Sequence, residues 1–99
     1  MMNKYIISKA AKNDLDEIWL YSYNKWSAEQ ADRYYKLLIS EIEKISKDPY
    51  INKKINLNNK LYSILKVKSH LIFYRITEKK QIFIVRILHE RMDITGRMT

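Results

Sequence analysis

The single proline, Pro49, divides the chain into two stretches with different hydrophobic rhythms. Before it, Ala11, Leu15, Ile18, Trp19 and Ser22 recur three and four residues apart, which predicts a helix over about residues 9–25 with Ser8 as its N-cap. Ser27-Ala28-Glu29-Gln30 then reads as a capping box opening a second helix, whose apolar face is Ala31, Tyr34, Tyr35, Leu38, Ile42 and Ile45. Asp48-Pro49 ends it, because proline disfavours the α region for the residue before it. Two such helices joined around Lys25-Trp26 make an antiparallel hairpin. After Pro49 an Asn- and Lys-rich stretch, residues 52–60, reads as a loop, and three strands are predicted at Leu61–Val67, His70–Thr77 and Gln81–Leu88. Glu78-Lys79-Lys80 is the tight turn between the last two, and Tyr5-Ile6-Ile7 is a short strand of its own. The expected architecture is α+β, in the order β-α-α-β-β-β. The helical hairpin packs on one face of a small antiparallel sheet, and the opposite face is left free for function.

Ninety-nine residues suffice for one domain, residues 1–99, and not for two cores. The chain has no cysteine, which excludes disulfide scaffolds, thiolate metal sites and thiol catalysis. Its longest apolar runs fall far short of the roughly 20 residues that span a bilayer, so a cytoplasmic domain is expected. The net charge of +8 is lopsided. Residues 1–50 carry eight basic and eight acidic side chains, whereas residues 51–99 carry eleven basic against three acidic, 11 − 3 = 8. An acidic partner facing the C-terminal half is the electrostatic expectation.

Glycine-rich phosphate loops and zinc-protease motifs are missing from the sequence, and two histidines without carboxylates at ligand spacing point to no metal site. Asp14, Asp16 and Glu17 fall near the start of the first helix, where they read as partners of the helix dipole. The segment Arg86-Ile87-Leu88-His89-Glu90-Arg91-Met92-Asp93 carries more chemistry. Strand alternation sets Arg86 opposite Val85 and Ile87, on a face it can share with Arg75 of the neighbouring strand. With His89 at the strand end, the three can in principle cleave RNA phosphodiesters, the imidazole moving protons and the guanidinium groups stabilising phosphorane charge. The residues by themselves favour a capped strand end, with His89 bonding backbone and Arg86 paired to a carboxylate. Most of the aromatic residues, among them Trp19, Tyr34, Tyr35 and Tyr74, fit core packing, with at least one of Tyr34 and Tyr35 facing a groove.

Taken in order, several short patterns resemble the ParE-type toxins of the RelE/ParE superfamily of bacterial toxin–antitoxin modules. They are Tyr5…Ser8-x-x-Ala11-x-x-Asp14-Leu15-x-x-Ile18, Trp26-x-x-x-Gln30-Ala31-x-x-Tyr34, Pro49, Ser69-His70-Leu71-Ile72-Phe73-Tyr74-Arg75, and Arg86-Ile87-Leu88-His89-x-Arg91-Met92-Asp93. The resemblance implies a helical hairpin on an antiparallel sheet and a growth-inhibiting toxin neutralised by a cognate antitoxin, whose C-terminal arm lies along the hairpin groove. Ile18, Tyr21, Trp26, Tyr34 and Leu38 are the positions it marks for that arm. It further implies DNA gyrase as the target, with Arg86, His89, Arg91, Met92 and Asp93 as the target-binding segment, no catalytic residues and no cofactor. The enzymatic branch of the superfamily cleaves mRNA on the ribosome. On that alternative Arg75, Arg86 and His89 are the candidate catalytic residues. The chain departs from the family pattern where glycine often precedes the Ser-His pair and follows the proline, positions held by Lys68 and Asn52. An arginine common early in the first meander strand is replaced by Tyr62 and Ser63.

Overall fold

A computed structural model describes residues 5–98. The elements run β1 (Tyr5–Ile7), α1 (Lys9–Lys25), α2 (Ala28–Lys47), β2 (Lys53–Leu57), β3 (Lys60–Val67), β4 (His70–Ile76), β5 (Ile82–His89) and a short C-terminal helix α3 (Ile94–Arg97). Both long helices start where their serines predict. The Ser8 hydroxyl accepts from Ala11 N at 2.9 Å, and that of Ser27 from Gln30 N at 3.1 Å. Only half of the expected capping box forms, because the Gln30 side chain accepts from Arg33 Nη1 instead of reaching back.

The sheet order is β1-β5-β4-β3-β2, which corrects the expected sheet in two respects. Residues 53–57, read as loop from their Asn and Lys content, form β2, the outer strand of a hairpin with β3. Asn58 and Asn59 make its two-residue turn with φ of 53° and 66°. Asparagine tolerates that left-handed backbone, so the pair is a hairpin signal rather than a loop signal. β1 pairs parallel with β5, so the sheet is mixed rather than wholly antiparallel. Lys68 adopts φ 55° in the β3–β4 turn, a left-handed backbone that a glycine would take without strain. Asn52 has no such conformation among the described residues; its amide donates to the Tyr74 hydroxyl at 2.9 Å.

Apolar residues fill both sides of this sheet. Leu15, Leu38, Ile42, Ile72, Tyr74, Ile84 and Ile87 join the hairpin to one face. On the other, Tyr62, Phe73 and Leu88 are covered by Met98, which α3 brings back across the strands. The second face is therefore not left free as the helical pattern suggested. Two aromatic positions also differ from expectation. Trp19 and Tyr35 lie on the outside of the hairpin, where the Trp19 indole donates to Asp32 at 2.8 Å and stacks on Tyr23.

Candidate functional site

The geometry that organises the site begins where β1 stops. Its last pairing is Ile7 with Ile84, so beyond that point β5 has β4 on one side and no strand on the other. The start of α1 takes over. The Ser8 hydroxyl, already capping the helix, donates to the Val85 carbonyl at 2.8 Å, and the Asp14 carboxylate accepts from Ile87 N at 2.9 Å. Val85 is the extra residue of a β-bulge, since Phe73 faces Arg86 while Tyr74 faces Ile84. Beside this bulge, Arg86 donates from Nε and Nη2 to the two Asp14 oxygens at 2.8 and 2.9 Å. Its Nη1 donates to the Arg97 carbonyl in α3, also at 2.9 Å.

Asp14 is thus a buried ion-pair partner and not the dipole partner its position suggested. Its hydrogen bonds hold Arg86 more firmly in the charged form. Arg86 matches the capped-strand reading, with a carboxylate as its partner, and is not an open target-binding side chain. Asp93 is likewise engaged, its carboxylate accepting from Gly96 N at 3.3 Å as the cap of α3.

Between the hairpin, the β3–β4 turn and the end of β5 lies a groove of about 990 Å³. Ile18, Tyr21, Trp26 and Tyr34 line it from the helices, and His89, Arg91 and Met92 line it from the other wall. Four of the five positions marked for the antitoxin and three of the five marked for the target therefore meet in one groove. Tyr21 and Trp26 are 59% and 61% exposed, set edge to face, with the Lys25 ammonium over both rings. Lys25, Arg33, Lys68 and Arg91 contribute positive charge, against Glu17 and the already paired Asp14. Leu38 does not belong there. It is fully buried between hairpin and sheet, and Leu37 takes the groove position, because the helix turns that face outward one residue earlier than the pattern suggested.

The groove floor holds residues that the sequence did not single out together. The Tyr34 hydroxyl lies 2.6 Å from His70 Nδ1 and 3.3 Å from the Val67 carbonyl. Both contacts are met at once when Nδ1–H donates to the phenol and the phenol donates to the carbonyl. Burial pushes the Tyr34 phenol up to about 12 and holds the His70 imidazole down at about 4, with His89 adding to the latter. His70 and His89 are cross-strand partners with ring centres 5.2 Å apart. His89 Nδ1 accepts from Arg91 N at 3.1 Å. The neutral ring then carries its proton on Nε2, which makes that atom a donor and leaves it without a lone pair for a metal.

The alternative catalytic set is not gathered. Arg86 is committed to Asp14, and exposed Arg75 lies five residues along β4 from His70, the partner of His89. At ~3.3 Å per residue that is roughly 17 Å.

Comparison with known proteins agrees with the groove-bearing fold. Residues 5–94 match the family model described as ParE toxin of type II toxin-antitoxin system, parDE. The chain belongs to the ParE toxin family. It is 36% identical to Toxin ParE1 of Mycobacterium tuberculosis over 94 residues, covering 95% of this chain and 96% of that one. It is also 36% identical to Toxin ParE1 of Caulobacter vibrioides over 97 residues, 98% of this chain and 99% of that one. The fold of this ParE toxin resembles a structure of the chromosomal ParDE system from P. aeruginosa, with a TM-score of 0.73, 16% identity and coverage of 89% and 96%. The toxin–antitoxin complex RelBE2 of M. tuberculosis follows at 0.66 and 14%, covering 90% of this chain and 99% of that one. Similarity to both branches is in the fold, and does not by itself choose a target. No helix among the described residues is long and apolar enough to cross a membrane.

Proposed function

We propose that this ParE toxin arrests growth by poisoning DNA gyrase, and that a cognate antitoxin neutralises it by filling the groove. One observation carries the reading: residues marked for the antitoxin and residues marked for the target line the same 990 Å³ groove. Its mouth exposes Tyr21 and Trp26, large amphipathic rings of the kind that anchor protein interfaces. Its rim is mainly cationic, which suits an acidic, amphipathic arm laid in helix-in-groove fashion. Occupying the groove covers His89, Arg91 and Met92, so neutralisation needs no conformational change. The ParDE and RelBE2 neighbours, both described as toxin–antitoxin systems, support an antitoxin partner.

The test is to incubate the purified toxin with gyrase, ATP and supercoiled plasmid, then measure linear DNA after detergent and protease. Linear product that disappears on adding stoichiometric antitoxin supports the reading. Full gyrase supercoiling with no linear DNA, by a toxin that still arrests growth, refutes gyrase as the target.

A further inference from the structure

The Asp14–Arg86 pair has no role in the proposed contacts, yet it is the most fully satisfied polar cluster beside the groove. Every oxygen and nitrogen in it points to structure. Asp14 is 7% exposed and accepts three hydrogen bonds, two from Arg86 and one from Ile87 N. The remaining Arg86 nitrogen with a partner reaches the Arg97 carbonyl. One planar fork therefore joins α1 to α3, and does so around the open edge of β5.

The segment between those anchors is the one assigned to the target. It leaves β5 at His89, turns through Met92 N donating to the His89 carbonyl at 3.0 Å, and enters α3 at Asp93. Glu90, Arg91, Met92 and Asp93 are all exposed, and none belongs to a regular element. Besides the Lys66–Glu90 ion pair at 2.9 Å and Arg91 N donating to His89 Nδ1, what fixes them is their two ends. The first is held by β5 pairing and by Glu90 N donating to the Ser69 carbonyl at 2.9 Å. The second is α3, of only four residues, too short to hold a place without tertiary contacts. Its contacts include Arg86 to the Arg97 carbonyl, Asn58 to the Thr95 carbonyl at 3.3 Å, and Ile94 and Met98 packed on the far face.

We propose that Asp14 and Arg86 are positioning residues: through the Arg97 carbonyl their clamp seats α3 and thereby presents Glu90–Asp93 to the target. This rests on the reading that His89, Arg91 and Met92 engage the target, but not on which target it is. A guanidinium is required at position 86, because a lysine can pair with Asp14 but offers one point charge in place of a fork spanning two elements.

Two variants test it, with growth arrest as the activity because it presupposes no particular target. Arg86→Lys keeps a cation beside Asp14 and loses the reach to Arg97. Met98→Ala frees the other side of α3 without touching the groove. Each is expected to raise the toxin level needed for growth arrest at least tenfold. Amide hydrogen exchange at Arg97 and Met98 should speed up at least tenfold, while Ile72 and Tyr74 in β4 keep their protection. The far-UV circular dichroism of Met98→Ala should match the parent's, showing that the hairpin and sheet are intact. Faster exchange in α3 with undiminished growth arrest overturns the positioning role. Unchanged exchange in Arg86→Lys overturns the clamp itself. Failure of gyrase cleavage with growth arrest intact removes only the choice of target and leaves these outcomes readable.

Discussion

Asp14 and Arg86, 72 residues apart in sequence, meet as a two-pronged ion pair with contacts of 2.8 and 2.9 Å at the edge of β5. The carboxylate is almost fully enclosed and the guanidinium mostly so. Deleting one partner of such a pair strands the other. Asp14→Ala also orphans Ile87 N, so it is expected to cost about 3 kcal/mol of unfolding free energy in urea titration. A loss below about 1 kcal/mol contradicts this account of the pair.

Leu38 belongs to the core, not to the groove, and is fully buried. Leu38→Ala is expected to destabilise the fold by about 2–5 kcal/mol. The folded variant, held below its melting temperature, should bind antitoxin as the parent does. A weakened dissociation constant with unchanged stability would return Leu38 to the docking surface.

Trp26 makes the opposite case. Its ring is largely exposed, set edge to face against Tyr21 with the Lys25 ammonium over it. Trp26→Ala should leave thermal stability almost unchanged and cost about 2 kcal/mol or more of antitoxin affinity by calorimetry. An unaltered affinity places the antitoxin elsewhere.

His89 and Arg91 line the same groove as Trp26, so they cannot be separated cleanly from antitoxin binding. Substituting both by alanine is expected to abolish growth arrest and, at the same time, to weaken antitoxin binding measurably. Toxicity equal to the parent in a folded double variant moves the target surface away from this wall.

His70 sets a pH dependence. Its native imidazole is held down at about 4, against 6.5 when exposed. Between those values the unfolded chain binds a proton that the native chain refuses, so stability rises with pH there. The contribution is fully present above pH 6.5 and is lost as pH falls towards 4. Urea midpoints measured from pH 7.5 down to 4.5 should decline, and the decline should be shallower in His70→Asn. Parallel curves for the two proteins would show that the imidazole does not titrate in this way.

Local chemistry made much of the fold legible. Serine caps at Ser8 and Ser27 act on the first turn of each helix, and Pro49 acts on its neighbour, so the helix limits could be read from a few residues. The strands β3, β4 and β5 showed through their dense β-branched and aromatic residues. β2 did not, because it is a polar edge strand whose identity depends on the two-residue Asn58-Asn59 turn pairing it to β3. Asparagine favours loops, but its tolerance of left-handed backbone also lets Asn58-Asn59 close a hairpin.

The site was legible as residue types but not as an arrangement. Ile18, Tyr21, Trp26, Tyr34, His89, Arg91 and Met92 were all marked from sequence, yet nothing in their spacing says that two helices and a strand end would bring them to one groove. Leu37 and Leu38 are adjacent, and only packing decides which turns inward. Arg86 shows the same division. Its place on a strand followed from periodicity, whereas its commitment to Asp14 depends on a bulge at Val85, an early end to β1 and a returning C-terminus. Helix limits and strand faces arise from contacts a few residues apart, which the sequence by itself determines. The groove, the buried ion pair and the covered second face arise from contacts across the whole chain, and only the tertiary structure decides them.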